Sequence, residues 1–323
     1  MANINCVLGP LSTDALGFTL MHEHLILAAA GVTQNYPELL GADFNSRIIE
    51  GLLQAKEGGV DTIVDTTTLE LGRDVNLMVN VSRLTGVNII ACAGWWKEPP
   101  PTFLVGVSAE KLSRIFVREI REGISGTNIK AGILKAASDI SGVTEWQEKV
   151  LRAVARAHNQ TRVPITLHSW SPRRIGKRQI AILREEGVDL SGVMMNHSND
   201  TADIDYLSWL LEQGCYLGMD RYPGKEGLTA NERTKTLKAL IEAGYGERLL
   251  LSHDVAIIDA SIESPAAPIP YSEEGRVNPH GFLYIKKVVF PQLREWGVSE
   301  STLELLCTAN PRKFFEGTGN IET

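Results

Sequence analysis

The stretch "GFTLMHEHL", residues 17–25, closes a short apolar run with two histidines around a glutamate. Successive side chains of an extended chain alternate faces, so His22 and His24 project together and Glu23 the other way. Two imidazoles on one face can grip one metal ion. They can equally be a half-buried strand-end pair hydrogen-bonded to its neighbours. Local spacing does not choose, because the helical zinc pattern, with histidines four apart, is absent. Other reactive residues interrupt apolar runs in the same way: Lys135 in "AGILKA", His168 in "PITLHSW", His197 in "GVMMNHSND", and Asp254 in "LLLSHDV". Four of the seven histidines thus stand where such runs end. His158 falls on a helical pattern and His280 in a long loop, and His253 should face away from its neighbour Asp254, so these three stay outside the set.

One buried histidine or one lysine–aspartate pair is ordinary in a protein core, but six such groups at one rim without a ligand would leave several unsatisfied. Four imidazoles and a carboxylate exceed what a single catalytic ion with an open position takes, and suit two ions sharing bridging ligands. The N/O set fits two divalent ions, Zn, Co, Mn or Fe, and does not choose among them; Zn is the metal expected first. Lys135 as an ammonium would repel both ions, so in such a site it must be neutral or chemically converted. A Schiff base between Lys135 and a carbonyl substrate is the competing chemistry. A barrel that binds metal without catalysis is a further alternative.

These residues need a frame that gathers strand ends. Eight strand candidates, at 17–21, 60–65, 87–93, 131–135, 164–168, 192–197, 215–220 and 248–254, alternate with amphipathic runs such as Ile48, Ile49, Leu52, Leu53 or Trp146, Val150, Leu151, Val154, Ala155. Ser46 and Ser108 read as helix caps, and Gly58, Gly86 and Gly214 as helix stops. The pattern predicts an α/β fold, a (β/α)8 TIM barrel forming one domain over 1–323, with its active site at the C-terminal ends of the strands. An open doubly wound sheet competes less well, because no Gly-x-Gly-x-x-Gly follows the first strand.

Composition narrows the class. The 323 residues are 43% hydrophobic and 22% charged, with 32 basic against 39 acidic residues and a net charge of -7. No basic cluster suits a phosphate backbone, so nucleic acid is not expected as a partner. No membrane span or signal segment is read from the sequence, and the expectation is a cytoplasmic protein. Cys6, Cys92, Cys215 and Cys307 have no paired spacing and read as buried free thiols.

The chain resembles the phosphotriesterase-like branch of the amidohydrolase superfamily, and most of all its phosphotriesterase-like lactonases. The similarity runs nearly end to end through "GFTLMHEHL", "GVDTIVDTTTLELGRD", "EGISGTNIKAGILKAA", "PITLH", "NHSND", "GMDRY", "LLLSHD" and "NPRKFF". The resemblance implies a CO2-derived carbamate on Lys135 that bridges two metals. It assigns His22, His24 and Asp254 to the more buried ion and His168 and His197 to the more exposed one, with a bridging hydroxide as nucleophile and Asp254 taking its proton. It also implies a homodimer. The expected activity is hydrolysis of lactones or esters, with side activity on organophosphate triesters. The alternative keeps the centre but cleaves an amide or a phosphorylated sugar lactone.

Two segments depart from the lactonases. A tyrosine-bearing loop is expected after the third strand, where this chain has "GWWKEPPPTFLVGV"; a cysteine and a tryptophan are expected after Asp254, where it has "VAIIDASIESPAAPIPY". Trp95, Trp96, Arg221, Tyr222 and Ile257 are the expected substrate contacts. Apolar loops favour a small neutral or amphiphilic substrate. One of the two tryptophans is as readily loop packing or subunit interface.

Overall fold

The computed structural model describes residues 2–97, 100–224, 227–260 and 278–317. The chain opens with an antiparallel hairpin, β1 (Asn3–Cys6) and β2 (Gly9–Ser12), which the sequence reading did not anticipate. Strands and helices then alternate: β3 (Thr19–Leu27), α1 (Phe44–Glu57), β4 (Thr62–Asp65), α2 (Val75–Thr85), β5 (Asn88–Gly94), α3 (Ala109–Arg121), β6 (Ile133–Ser138) and α4 (Glu145–Thr161). The same order continues through β7 (Ile165–Ser169), α5 (Gly176–Glu185), β8 (Val193–Met195), α6 (Ile204–Glu212), β9 (Tyr216–Met219), α7 (Ala230–Leu240), β10 (Leu249–Leu251) and β11 (Ala256–Asp259). Helices α8 (Phe290–Glu295), α9 (Glu300–Cys307) and α10 (Ala309–Glu316) follow.

The strands lie parallel in the order β10-β9-β8-β7-β6-β5-β4-β3-β11, the sheet of a (β/α)8 TIM barrel. Its eighth strand is broken: β10 pairs with β9, the chain kinks at Asp254 (φ 53), and β11 pairs with β3. Asp254 N donates to His22 O at 3.0 Å and His24 N to Val255 O at 3.0 Å, so the break itself is stitched to the first barrel strand. The predicted eighth strand, 248–254, therefore ends early and resumes.

Two apolar layers hold the frame. Met21, Val64, Ile90, Cys92, Ile133, Met194 and Leu250 fill the barrel interior, closed at one end by Phe314 and Phe315. A larger layer lies between barrel and helices, where Leu52, Phe116, Val154, Ile180, Leu207 and Leu237 of the helices meet Ile63, Ile89, Leu134, Ile165 and Leu217 of the strands. Thr144 caps α4 and Thr229 caps α7 in reciprocal boxes with Gln147 and Glu232, each cap contributing about 1 kcal/mol. Ser108 caps α3 as expected, but Ser46 lies inside α1, which begins after Asp43. No described helix is long and apolar enough to cross a membrane.

Register decides which residues enter the barrel. Between β3 and β4, Leu20 pairs with Ile63 but Glu23 with Asp65, so β3 carries one extra residue. Leu20 belongs to the outer layer, Met21 to the interior, and His22 faces Lys135 inside as well. Such a bulge places two successive side chains on one face. It lets the apolar filling give way to polar groups within one strand. At the far end of β5, Gly94 (φ 126) pairs with Lys135, and a Cβ there would lie 2.0 Å from the Lys135 carbonyl oxygen. Gly94→Ala should cost about 2 kcal/mol or more. The midpoint of chemical unfolding checks this, and an unchanged midpoint would mean that the backbone yields freely.

Candidate metal centre

Six groups meet inside the C-terminal rim. His22 and His24 come from the bulged β3, Lys135 from β6, His168 from β7, His197 from the turn after β8 and Asp254 from the break in the eighth strand. All six are buried, each at most 5% exposed. Lys135 Nζ lies 3.3 Å from His22 Nε2, and Asp254 Oδ1 lies 3.4 Å from His22 Nε2 and 3.3 Å from His24 Nε2. His168 Nδ1 and His197 Nε2 face each other at 2.8 Å, and Asp254 Oδ2 is 3.7 Å from His197 Nδ1.

The rear ring nitrogens of His22, His24 and His197 are already engaged. Asp220, at the end of β9, takes His22 Nδ1 at 2.7 Å, His197 Nδ1 at 3.2 Å and the His197 backbone N–H at 2.6 Å. Burial first, then the Asp254 charge, pushes the Asp220 carboxyl well above its usual range, so three N–H donors are what an anion there requires. With Nδ1–H donated to a carboxylate, both histidines keep their lone pair on Nε2, the atom turned toward Lys135 or His168. His24 follows the same logic: Nδ1 meets Thr67 Oγ1 at 2.9 Å and Nε2 points to Asp254. Sequence reading passed over Asp220, although it ends an apolar run as the others do.

Among the described residues, two sets of three ligand atoms cluster closely enough for a metal: His22, His24 and Asp254, and His22, His197 and Asp220. In the second set the Nδ1 atoms of both histidines are bonded to Asp220 itself, so the first is the better ligand set. Burial lowers His22 and His197 well below the usual imidazole range and brings His168 down to about 4, leaving neutral rings with free lone pairs. Burial also brings Lys135 down to about 8, against the opposing pull of Asp254 and Asp220. Neutral nitrogen donors with a carboxylate among them form a donor set that fits divalent cations.

Other residues take supporting places. Glu23 accepts from Ser252 Oγ at 2.7 Å, His253 N at 2.9 Å and His253 Nδ1 at 2.6 Å, locking β3 to the broken strand from outside. Arg221 Nε donates to Asp254 Oδ2 at 3.0 Å and its Nη1 to Asp200 Oδ2 at 2.5 Å, while Arg233 also pairs with Asp200. Arg221 therefore holds Asp254 and is spoken for by two carboxylates.

The five expected substrate contacts are dispersed. Trp96 reaches the site, its ring edge-on to His168 at 5.9 Å, and its backbone N–H is held by Glu70, whose carboxyl burial pushes up to about 7. Trp95 instead sits in the core, edge-on to Trp146 at 6.3 Å. Tyr222 is wholly buried in the outer layer. Ile257 turns outward on β11 and packs over Gly51 of α1, because the chain there resumes a strand and its side chains alternate. Two further aromatic residues fall in the segments that depart from the lactonases: Phe103 is exposed, and Tyr271 lies outside the described residues.

A parallel barrel whose C-terminal rim gathers imidazoles, a carboxylate and a buried lysine defines the class of metal-dependent barrel hydrolases. Within that class the chain belongs to the phosphotriesterase family, whose model matches residues 2–315. It is 37% identical to a phosphotriesterase homology protein of Mycobacterium tuberculosis, across 100% of both chains. It is 36% identical to an aryldialkylphosphatase of Saccharolobus solfataricus, covering 94% of this chain and 96% of that one. Identity to an N-acetyltaurine hydrolase of Xenopus tropicalis is 28%, covering 96% of this chain and 97% of that one.

Asp220→Ala removes the shared acceptor of two rings. It should weaken divalent-metal retention roughly 10- to 100-fold, measured by equilibrium dialysis. Retention equal to the wild type would mean that the rings need no such anchor.

Proposed function

We propose that the protein is a binuclear hydrolase that opens lactones or esters, with side activity on neutral phosphotriesters. In this reading His22, His24 and Asp254 would hold one divalent ion, His168 and His197 would hold a second, and Lys135, as a carbamate, would be a ligand shared by both. The observation that carries it is the convergence of these six groups with the rear nitrogens of His22, His24 and His197 already tied to Asp220 and Thr67.

Lys135 fits its part chemically. Its buried ammonium, once it has lost one proton, can attack carbon dioxide as the neutral amine, forming an N–C bond as one C=O π bond opens onto oxygen and a second N–H proton leaves; two protons are released in all and a repulsive cation becomes an anion. When bound, the ions would lower the pKa of water and polarise a carbonyl or phosphoryl oxygen. Asp254 would take the proton of the attacking water, and Arg221 orients its carboxylate by donating to Oδ2. Trp96 supplies an apolar wall beside His168, suited to a neutral or amphiphilic small molecule. Zn is the metal first expected, although the donors suit Co, Mn and Fe as well. A homodimer in the cytoplasm remains part of the proposal.

A second reading, amide cleavage by the same centre, is favoured by the N-acetyltaurine hydrolases among the relatives. An anionic substrate would need a cation other than Arg221, given its two carboxylate partners.

Metal-loaded protein is assayed on lactones, aryl esters, phosphotriesters and N-acyl amides. Turnover confined to amides would replace the first reading by the second, and none on any class would end both. Lys135→Ala should lose roughly 100-fold or more in kcat/KM, since a bridging ligand matters at least as much as the groups behind it. Short carboxylic acids should restore part of that loss. A variant retaining full activity would exclude the bridge.

A further inference from the structure

His168 differs from the other three histidines in how its rear nitrogen is held. Asp220 or Thr67 backs His22, His24 and His197, but His168 Nε2 is buried and makes no hydrogen bond. Its nearest carboxylate is Asp139, with Oδ1 3.9 Å away, an electrostatic contact short of a hydrogen bond. Asp139 follows directly on the end of β6, the strand that carries Lys135. Its Oδ1 accepts the Ile140 N–H at 2.8 Å, and its Oδ2 is gripped by Lys97. Lys97 in turn lies 4.4 Å over the ring of Trp96, and Trp96 stands edge-on to His168. The four side chains form a closed circuit: Asp139, Lys97, Trp96, His168. It joins the loop after β5 to the end of β6 across one imidazole.

We propose that Asp139 is the positioning residue for His168, accepting from its Nε2 and, through Lys97, fixing the Trp96 wall against the same ring. The chemistry mirrors that of Asp220. A carboxylate behind an imidazole fixes the tautomer and leaves the front nitrogen, here Nδ1 facing His197, as the lone-pair donor. One residue thereby serves the more exposed ion and the shape of the substrate wall. The inference rests on the two-ion reading above, and goes beyond it in assigning a residue and a loop to the second ion alone.

The test is divalent-metal titration of chelator-stripped protein, using Zn2+ and Co2+ separately, with the Co2+ absorption spectrum as a second signal. The wild type should take two ions and His168→Ala one; failure of that pair of controls would sink the two-ion reading itself, and with it the assignment of Asp139 to a second ion. Given those controls, Asp139→Ala should weaken the second ion roughly 10- to 100-fold and leave the first unchanged. Asp139→Asn, which keeps an acceptor oxygen in the same volume, should fall between and serves as the folded comparison if the alanine variant does not fold. Lys97→Met should raise KM more than it lowers kcat, and hold both ions. Wild-type affinity for the second ion in Asp139→Asn and Asp139→Ala, or equal weakening of both ions, would overturn the proposal.

Discussion

One carboxylate inside the barrel organises the rest of the site. Asp220 grips rings from two different parts of the sheet, His22 from the first barrel strand and His197 from the turn after the sixth, and also the His197 backbone. That single anchor decides which nitrogen of each ring is free. Its position at the end of the seventh strand, with desolvation compensated by three N–H donors, explains why His197 adopts a left-handed backbone (φ 58), a conformation rare for a side-chain-bearing residue. The contacts to Asp220 hold that conformation and keep the ring between Asp220 and His168.

The second organising constraint is the interrupted strand. A continuous eighth strand would carry Asp254 past the rim in regular alternation. The kink instead lets Asp254 N–H bond to His22 O while its carboxylate turns to His22, His24 and Arg221. Glu23, on the opposite face of the first strand, holds the same break from behind through Ser252 and His253. Residues at successive positions of "HEH" thus do complementary work: the histidines face the site and the glutamate keeps the strand that delivers Asp254 in register. Arg221 extends this support outward, since Asp200 shares it with the fully buried Arg233. The buried charges form a paired chain, which is the form in which a barrel interior tolerates them.

The barrel and the positions of all six rim residues were legible in the sequence because both rest on period: apolar runs of strand length, each interrupted or closed by polar residues. What period does not carry was missed. The β3 bulge adds a residue without altering hydrophobicity, and the hairpin before it is too short to alternate clearly. Asp220 was visible as a strand-end acid, but its role depends on which nitrogens it meets, a fact of tertiary geometry. Asp139 lies beyond a strand end, where pairing with Lys97 is set by loops distant in sequence. Ile257 was read as a loop residue over the site; a resumed strand turned it to α1. Of the adjacent tryptophans, residue chemistry alone could not say which ring enters the core. Packing against Trp146 claims Trp95 and leaves Trp96 beside His168.

The central claim is that the six rim groups form one site for two ions, with Asp220 behind the ligands and not among them. Anomalous X-ray diffraction at the absorption edge of the bound metal tests it most directly. The account predicts two peaks, one contacted by His22, His24 and Asp254 and the other by His168 and His197, with Lys135 between them. A single peak ligated by Asp220, His22 and His197, or no peak in active protein, would contradict it.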